Sequence, residues 1–275
     1  MISAEIILFP IIVGIGIASY KGFNDVLFFD RYKFEVQPII LHKQYHRIVT
    51  SGLLHADWIH LLFNAYVLYV FGLGVGEGIG IPDMALILLG SLVTGNLLAL
   101  FVHREHPDYA AVGISGGVSG LVFAYIALYP GSELGLILIP GLEIPAWIFG
   151  LAYLLFSLRG IIGQMDNLGH EAHVGGSIFG FLFALAKYPE LALEQWWQVV
   201  LLSLPILLIC YIIFFRRDIL IIGKKDDLLG SLKRGPNVSQ EQEIDRVLDK
   251  INKSGIDSLT SKEKELLDKY SNRRN

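Results

Sequence analysis

The residues whose types and spacing could do chemistry gather around one serine. Ser115 stands in A-V-G-I-S-G-G-V-S-G-L-V-F-A-Y-I-A-L-Y, residues 111–129, a stretch apolar enough to lie in a bilayer yet opening on Gly113, Ser115, Gly116, Gly117, Ser119 and Gly120. Glycine weakens a helix and a hydroxyl finds few partners in hydrocarbon, so this composition needs a cause. One cause is a packing seam, because Gly116, Gly120 and Ala124 recur every four residues and admit a neighbouring helix. The other is a nucleophile at a helix start, where backbone N–H groups without intrahelical acceptors can hold a developing oxyanion. A serine hydroxyl needs a base, and neutral imidazole is the usual one near pH 7. His173 begins such a helix, with Gly176, Gly180 and Ala184 following at spacings of three, four and four, so one face carries an imidazole and then a smooth groove. His60 and Asn64 are four apart and share a face of a third apolar segment. Polar groups at that depth mark a functional site by default, the alternative being a structural hydrogen bond between helices. Together with the Ser115 N–H they could serve as oxyanion donors, and the set then describes acyl transfer.

Several membrane helices must position these groups. The chain has 275 residues, 53% of them hydrophobic and 17% charged, with a mean hydropathy of +0.53. That composition describes a polytopic membrane protein, an all-α helical bundle in contact with the lipid bilayer. A net charge of -4 with short basic clusters gives no sign of a nucleic-acid partner, and Cys210, the single cysteine, cannot form an intramolecular disulfide. The N-terminus M-I-S-A-E lacks a basic n-region, so the first apolar segment is expected to stay as a helix. About twenty apolar residues span the hydrocarbon core. The expected spans are Ile2 to Tyr20 (ended by Lys21 and Gly22), Trp58 to Val75, Pro82 to Val102, Ala111 to Tyr129, Ala146 to Leu158, one opening at His170, and Trp196 to Phe215. Between the first two, charges interleaved with aromatic rings suggest short interfacial helices. The run G-L-G-V-G-E-G-I-G at 72–80 reads as a tight helix connection, since no strand precedes it and no Lys-Ser/Thr follows as a phosphate loop would need. A turn is expected around Pro140 and Pro145, and a loop over Arg159 to Asn167.

Beyond the seventh span lies a basic linker, 218–238. After it, Ile244, Val247, Leu248 and Ile251 repeat at helical spacing behind a cap at Ser239. Thr260 and Glu263 then form a capping box opening a second helix. The tail, 239–275, is thus expected to be a small soluble helical hairpin, and nothing in its residues names its partner.

Three stretches together resemble the rhomboid intramembrane serine proteases. G-I-S-G-G-V-S-G-L at 113–121 resembles that family's G-x-S-G box, H-A-D-W-I-H-L-L-F-N at 55–64 its second-helix H-x4-H-x3-N pattern, and A-H-V-G-G-S-I-F-G at 172–180 its sixth-helix histidine with a glycine groove. The order is the family's, Arg47 is placed like its first-loop arginine and Glu77 like its acidic residue after the second helix; His46 stands where a tryptophan is frequent. The resemblance implies a six-helix core over 1–190, to which the helix of 191–217 and the tail are additions. It implies Ser115 as nucleophile, His173 as base, and His60 and Asn64 as oxyanion donors. Gly113, Gly116, Gly120, Gly176 and Gly180 are read as packing support. The implied substrates are transmembrane proteins cut near one end of the span, with neither cofactor nor metal. The tail resembles an extension of some bacterial rhomboids, so a bacterial inner membrane is expected. An odd count of spans puts the tail on the active-site side.

H-E-A-H at 170–173 spaces its histidines three apart, whereas the zinc motif needs four, and His103 and His106 are read as solvated loop residues. A transporter would need a repeated pair of discontinuous spans, and none is visible. A rhomboid-like pseudoprotease that binds transmembrane clients without cleaving them would be expected to lack the serine or the histidine; both are present.

Overall fold

The computed structural model describes residues 3–135, 141, 143–163, 169–194 and 196–216, together with Val247, Lys250, Leu259, Thr260, Lys262 and Glu263. Two compact units divide the chain, Met1–Leu220 and Ile221–Asn275. The first is a helical bundle. Its helices in chain order are α1 (Glu5–Asn24), α2 (Val26–Tyr32), α3 (Val36–His42), α4 (Arg47–Thr50), α5 (Trp58–Ile79), α6 (Ile81–His103), α7 (Ser115–Leu128), α8 (Ala146–Gly163), α9 (His170–Lys187), α10 (Pro189–Leu193) and α11 (Trp196–Phe215). Among the described residues α1, α5, α6 and α11 are long and apolar enough to cross a membrane by themselves, while α7 and α8 are shorter apolar helices. Large apolar side chains such as Phe9, Leu27, Ile59, Leu89 and Leu207 face outward, as a bilayer solvent allows.

Several element ends differ from the sequence expectation. Lys21 and Gly22 do not stop α1, which runs on to Asn24 with Gly22 packed under Phe29 and Leu54. The glycine run at 72–80 is helix and not a connection, and the turn comes only at Gly80, with φ of 94°. Its glycines are packing positions: a Cβ on Gly72 would meet Leu8 at 2.6 Å and one on Gly76 would meet Ala4 at 2.6 Å, so α1 lies directly on this face of α5. The fourth span is shorter than expected because Ala110–Ala111 pair antiparallel with Phe34–Glu35, which takes the chain into α7 from a strand. A second small ladder, Glu133–Gly135 with Glu143–Pro145, occupies the expected proline turn. Helix α8 continues through Arg159 to Gly163, into the segment expected as loop.

The interfacial helices form a loop anchored to the bundle. Arg47, expected only by position, is buried and donates to Gln44 Oε1 (2.7 Å) and to the carbonyls of Asp30 (2.7 Å) and Lys33 (2.8 Å). Asn96 of α6 donates to Ile48 O (2.7 Å) and Ser51 Oγ (3.1 Å). Ser19 of α1 donates to Leu53 O (3.1 Å) and meets the buried His55 Nδ1 at 2.9 Å. These bonds satisfy groups that hydrocarbon would leave stranded.

Contacts between helix ends show which termini share a side. Ser115 at the start of α7 meets His173 near the start of α9, where Glu171 meets His103 at the end of α6. At the other end, Asp83 of α6 binds Lys187, the last residue of α9, and Tyr188 just after it, and Trp147 of α8 packs on Trp197 of α11. Helix α11 therefore starts opposite the Ser115 side and finishes on it, where Phe214 packs on Phe101 at 5.4 Å. In the second unit, Thr260 N–H donates to Glu263 Oε2 (2.7 Å) and Glu263 N–H to Thr260 Oγ1 (3.4 Å), the reciprocal capping box read from sequence. Lys250 Nζ lies 2.9 Å from the same carboxylate. That N–H bond, with Lys250, holds Glu263 down at about 2. The linker of 218–238 and most of the expected hairpin lie outside the described residues.

Two tests arise. Single cysteines at Asp108 and Arg216 in a Cys210→Ser background should react with a membrane-impermeant thiol reagent from the same side of sealed vesicles; labelling from opposite sides would show that α11 does not cross. The second concerns His55, whose burial and nearness to His60 push its pKa from 6.5 down to about 4, against a smaller opposing effect of Asp57. The unfolded chain binds this proton first as pH falls, so stability is full above about 6.5 and declines toward pH 4. The loss amounts to about 3 kcal/mol. Thermal unfolding in detergent should show that acid slope in wild type and a flatter one in His55→Gln; equal slopes would refute the assignment.

Candidate active site

Four helices deliver the site, and glycines decide how closely they approach. On α9, a Cβ at Gly176 would strike the Gly116 carbonyl and one at Gly180 the Gly120 carbonyl. The carbonyl of Ala172, one residue before His173, is wedged between α6 and α7, where a Cβ on Gly95 would collide with it and one on Gly116 would lie 3.1 Å away. Backbone touches backbone along this seam, so His173 is set against the start of α7 with little freedom to shift.

The outcome is a contact of 2.7 Å between His173 Nε2 and Ser115 Oγ. Ser115 opens α7 behind Gly113, whose φ of 123° lies where side-chain-bearing residues are strained. Gly113 N–H donates to Ser51 O (3.0 Å), which ties this turn to the first loop. Helix geometry leaves the first-turn N–H groups of α7 without acceptors inside the helix. A Cβ on Gly113 would lie 3.0 Å from His60 Nε2 and 3.5 Å from Ser115 Oγ, so both atoms face the same small space. Ala56 N–H donates to His60 Nδ1 (3.4 Å), which leaves the proton of the neutral ring on Nε2, the nitrogen facing Gly113.

Asn64 is buried one turn along α5, and its Nδ2 donates to the His60 carbonyl at 2.9 Å. It thus lies on the expected face, its amide turned to its own helix. Ser119, the other hydroxyl on this face of α7, donates to Ser115 O (2.8 Å) and lies 2.5 Å from Tyr153 Oη. His170 packs edge-on against His173, with ring centroids 6.1 Å apart. Ser177 donates to the His173 carbonyl at 2.8 Å.

The reading of His103 as a solvated loop residue is overturned, while His106 stands in the loop after α6, partly buried. His103 is the last residue of α6, buried, its Nε2 3.0 Å from Glu171 Oε1 and off the ring's N–H axis. Its ring stacks on Tyr109 at 3.6 Å, and its Nδ1 lies 3.1 Å from His106 Nδ1. Tyr109 Oη donates toward Glu171 Oε2 (3.4 Å). Burial and that carboxylate push the Tyr109 phenol up, so it remains a neutral donor. This cluster fastens the start of α9 to the end of α6. Removing His103 would leave the buried Glu171 carboxylate without that neighbour, which is costly in an apolar surrounding. Glu171 and Tyr153 escaped the sequence reading. Each had a signal, an acidic residue inside an apolar helix start and a lone phenol inside α8, but neither signal names its partner. Among the described residues no group of three or more His, Cys, Asp or Glu side chains is arranged to hold a metal ion.

The chain is 28% identical over 142 residues to mitochondrial rhomboid protein 1 of Saccharomyces cerevisiae, covering 50% of this chain and 40% of that one. It is 30% identical over 160 residues to the chloroplastic rhomboid-like protein 11 of Arabidopsis thaliana, covering 55% and 56%. With the rhomboid protease GluP of Bacillus subtilis it shares 30% over 156 residues, covering 54% and 27%. The chain thus spans about half or less of the length of these relatives. Residues 237–273 match a family of unknown function, DUF6576. Residues 42–190, more than half of the chain, match the Rhomboid domain, and the protein is an integral membrane member of the rhomboid family.

Proposed function

We propose that this chain is an intramembrane serine endopeptidase that hydrolyses peptide bonds in or near transmembrane segments of other membrane proteins. The observation that carries the reading is the 2.7 Å contact between Ser115 Oγ and His173 Nε2 at the start of α7. Oγ attacks the scissile carbonyl carbon while its proton passes to Nε2, and the carbonyl π electrons move to oxygen. The resulting oxyanion is met by the Ser115 N–H and by His60 Nε2–H, with the Asn64 amide as a third donor once substrate draws it from the His60 carbonyl. Collapse expels the amine, which takes the proton from His173 and leaves an acyl ester on Ser115. Water, giving a proton to His173, then attacks the ester; its C–O bond breaks and Oγ recovers the proton.

The organisation proposed with it is a catalytic core over 1–190, an added membrane helix over 191–217, a basic linker over 218–238 and a soluble tail over 239–275. We place the protein in a bacterial plasma membrane, a reading supported by the resemblance of the tail to bacterial extensions.

A serine-reactive phosphonate should label wild type and Ser119→Ala but not Ser115→Ala. Labelling lost in Ser119→Ala and kept in Ser115→Ala would reverse the assignment. His173→Ala should reduce cleavage of a model transmembrane substrate to background, with His170→Ala retaining most of it; equal losses would sink the dyad. Absence of both labelling and cleavage in wild type would favour a pseudoprotease. Asn64→Ala should lower kcat, up to about a hundred- to a thousandfold, with KM little changed. A change confined to KM would make Asn64 a structural residue.

A further inference from the structure

Helix α8 reaches the dyad through the side chain of Tyr153. Ser119 is buried on α7 one turn from Ser115 and donates to the Ser115 carbonyl at 2.8 Å. Its one proton being committed there, the 2.5 Å bond to Tyr153 is one in which the phenol donates. The Tyr153 ring packs on Phe123 of α7 at 5.6 Å and Phe149 of α8 at 6.1 Å. It also lies 6.3 Å from the His173 imidazole, tilted by 33°. One residue of a third helix therefore touches both halves of the dyad, the serine through Ser119 and the imidazole through its ring.

A tyrosine in an apolar helix needs some acceptor for its hydroxyl, and any carbonyl would serve a purely structural role. Here the acceptor is a hydroxyl whose own bond ends on the nucleophile's carbonyl. A serine bonded to the carbonyl four residues back bends its helix slightly, and the turn it acts on is the one that carries Ser115. The Tyr153 hydroxyl fixes the orientation of that serine. Its ring limits rotation of His173 from one side, while His170 stands edge-on at 6.1 Å and 77°.

We propose that Tyr153 is a positioning residue of the dyad. Through Ser119 and through its ring it holds Ser115 and His173 in register, and it makes their geometry depend on how α8 docks against α7 and α9. The proposal rests on the protease reading above.

The test uses the full-length chain in detergent with a model transmembrane substrate, measuring kcat, KM and thermal unfolding. Tyr153→Phe keeps the ring and removes only the hydroxyl. It should lower kcat about five- to tenfold, with KM and the unfolding temperature close to wild type. Ser119→Ala should do the same, and the double variant should be no worse than either single one, because both break one chain of hydrogen bonds. Tyr153→Ala should lose more kcat than Tyr153→Phe. An unchanged kcat in Tyr153→Phe, fully additive losses in the double variant, or an effect on KM alone would overturn the proposal while leaving the protease reading intact. A wild-type chain that neither cleaves nor takes the phosphonate label would overturn both.

Discussion

The carbonyl of Ala172 sits where two glycines allow it to sit, between Gly95 of α6 and Gly116 of α7. The contact between Ser115 and His173 depends on that approach. Lipid supplies no hydrophobic force that would push one apolar helix against another, so close packing and polar contacts must do it. The glycine faces bring backbones together over about two turns of α9, from Ala172 against Gly95 and Gly116, through Gly176 against Gly116, to Gly180 against Gly120. His173 belongs to that rigid stretch, so its distance to Ser115 is set by main chain more than by side-chain torsions. The two explanations for the small residues, a packing seam and a chemical site, are therefore one explanation. The seam is what makes the imidazole reach the hydroxyl.

Polar groups inside the bundle add a second constraint. His103 with Glu171, Asn96 with Ser51, and Arg47 with the carbonyls of Asp30 and Lys33 would each be expensive in hydrocarbon if left alone. Each instead links segments distant in sequence, and each lies toward the side where Ser115 opens α7. The opposite side has its own tie in Asp83, Lys187 and Tyr188, which fixes the start of α6 to the end of α9. With both ends of the α6–α9 pair fastened, the seam has little scope to slide.

What the sequence made legible follows from the same physics. Gly116, Gly120, Gly176 and Gly180 were readable because small residues at spacings of four have few uses in a membrane other than close approach. Ser115 and His173 were readable because no polar residue is placed in such a seam without cause. The glycine run at 72–80 misled, since glycine marks both turns and close packing, and only the presence of Leu8 and Ala4 on that face decides between them. His103 looked solvated because its partner Glu171 lies 68 positions along the chain, and spacing carries no information about such a pair. Tyr153 was missed for the same reason, because its meaning lies in Ser119 on another helix.

The shortness of α7 joins these points. Its 14 residues rise about 21 Å, well under the ~30 Å of a hydrocarbon core. One end of such a helix must fall inside the core, and a helix start has backbone N–H groups to spare for an oxyanion. Such an end would be prohibitive in lipid were the chain leading into it not enclosed. Ala110–Ala111 pair with Phe34–Glu35, Tyr109 O accepts from Val36 N–H (3.1 Å), and Gly113 N–H reaches Ser51 O (3.0 Å). The first loop, with its buried arginine, supplies these partners for the chain that enters α7. A short α7 with free first-turn N–H groups and an entrance covered by residues 34–37 and Ser51 are two halves of one requirement.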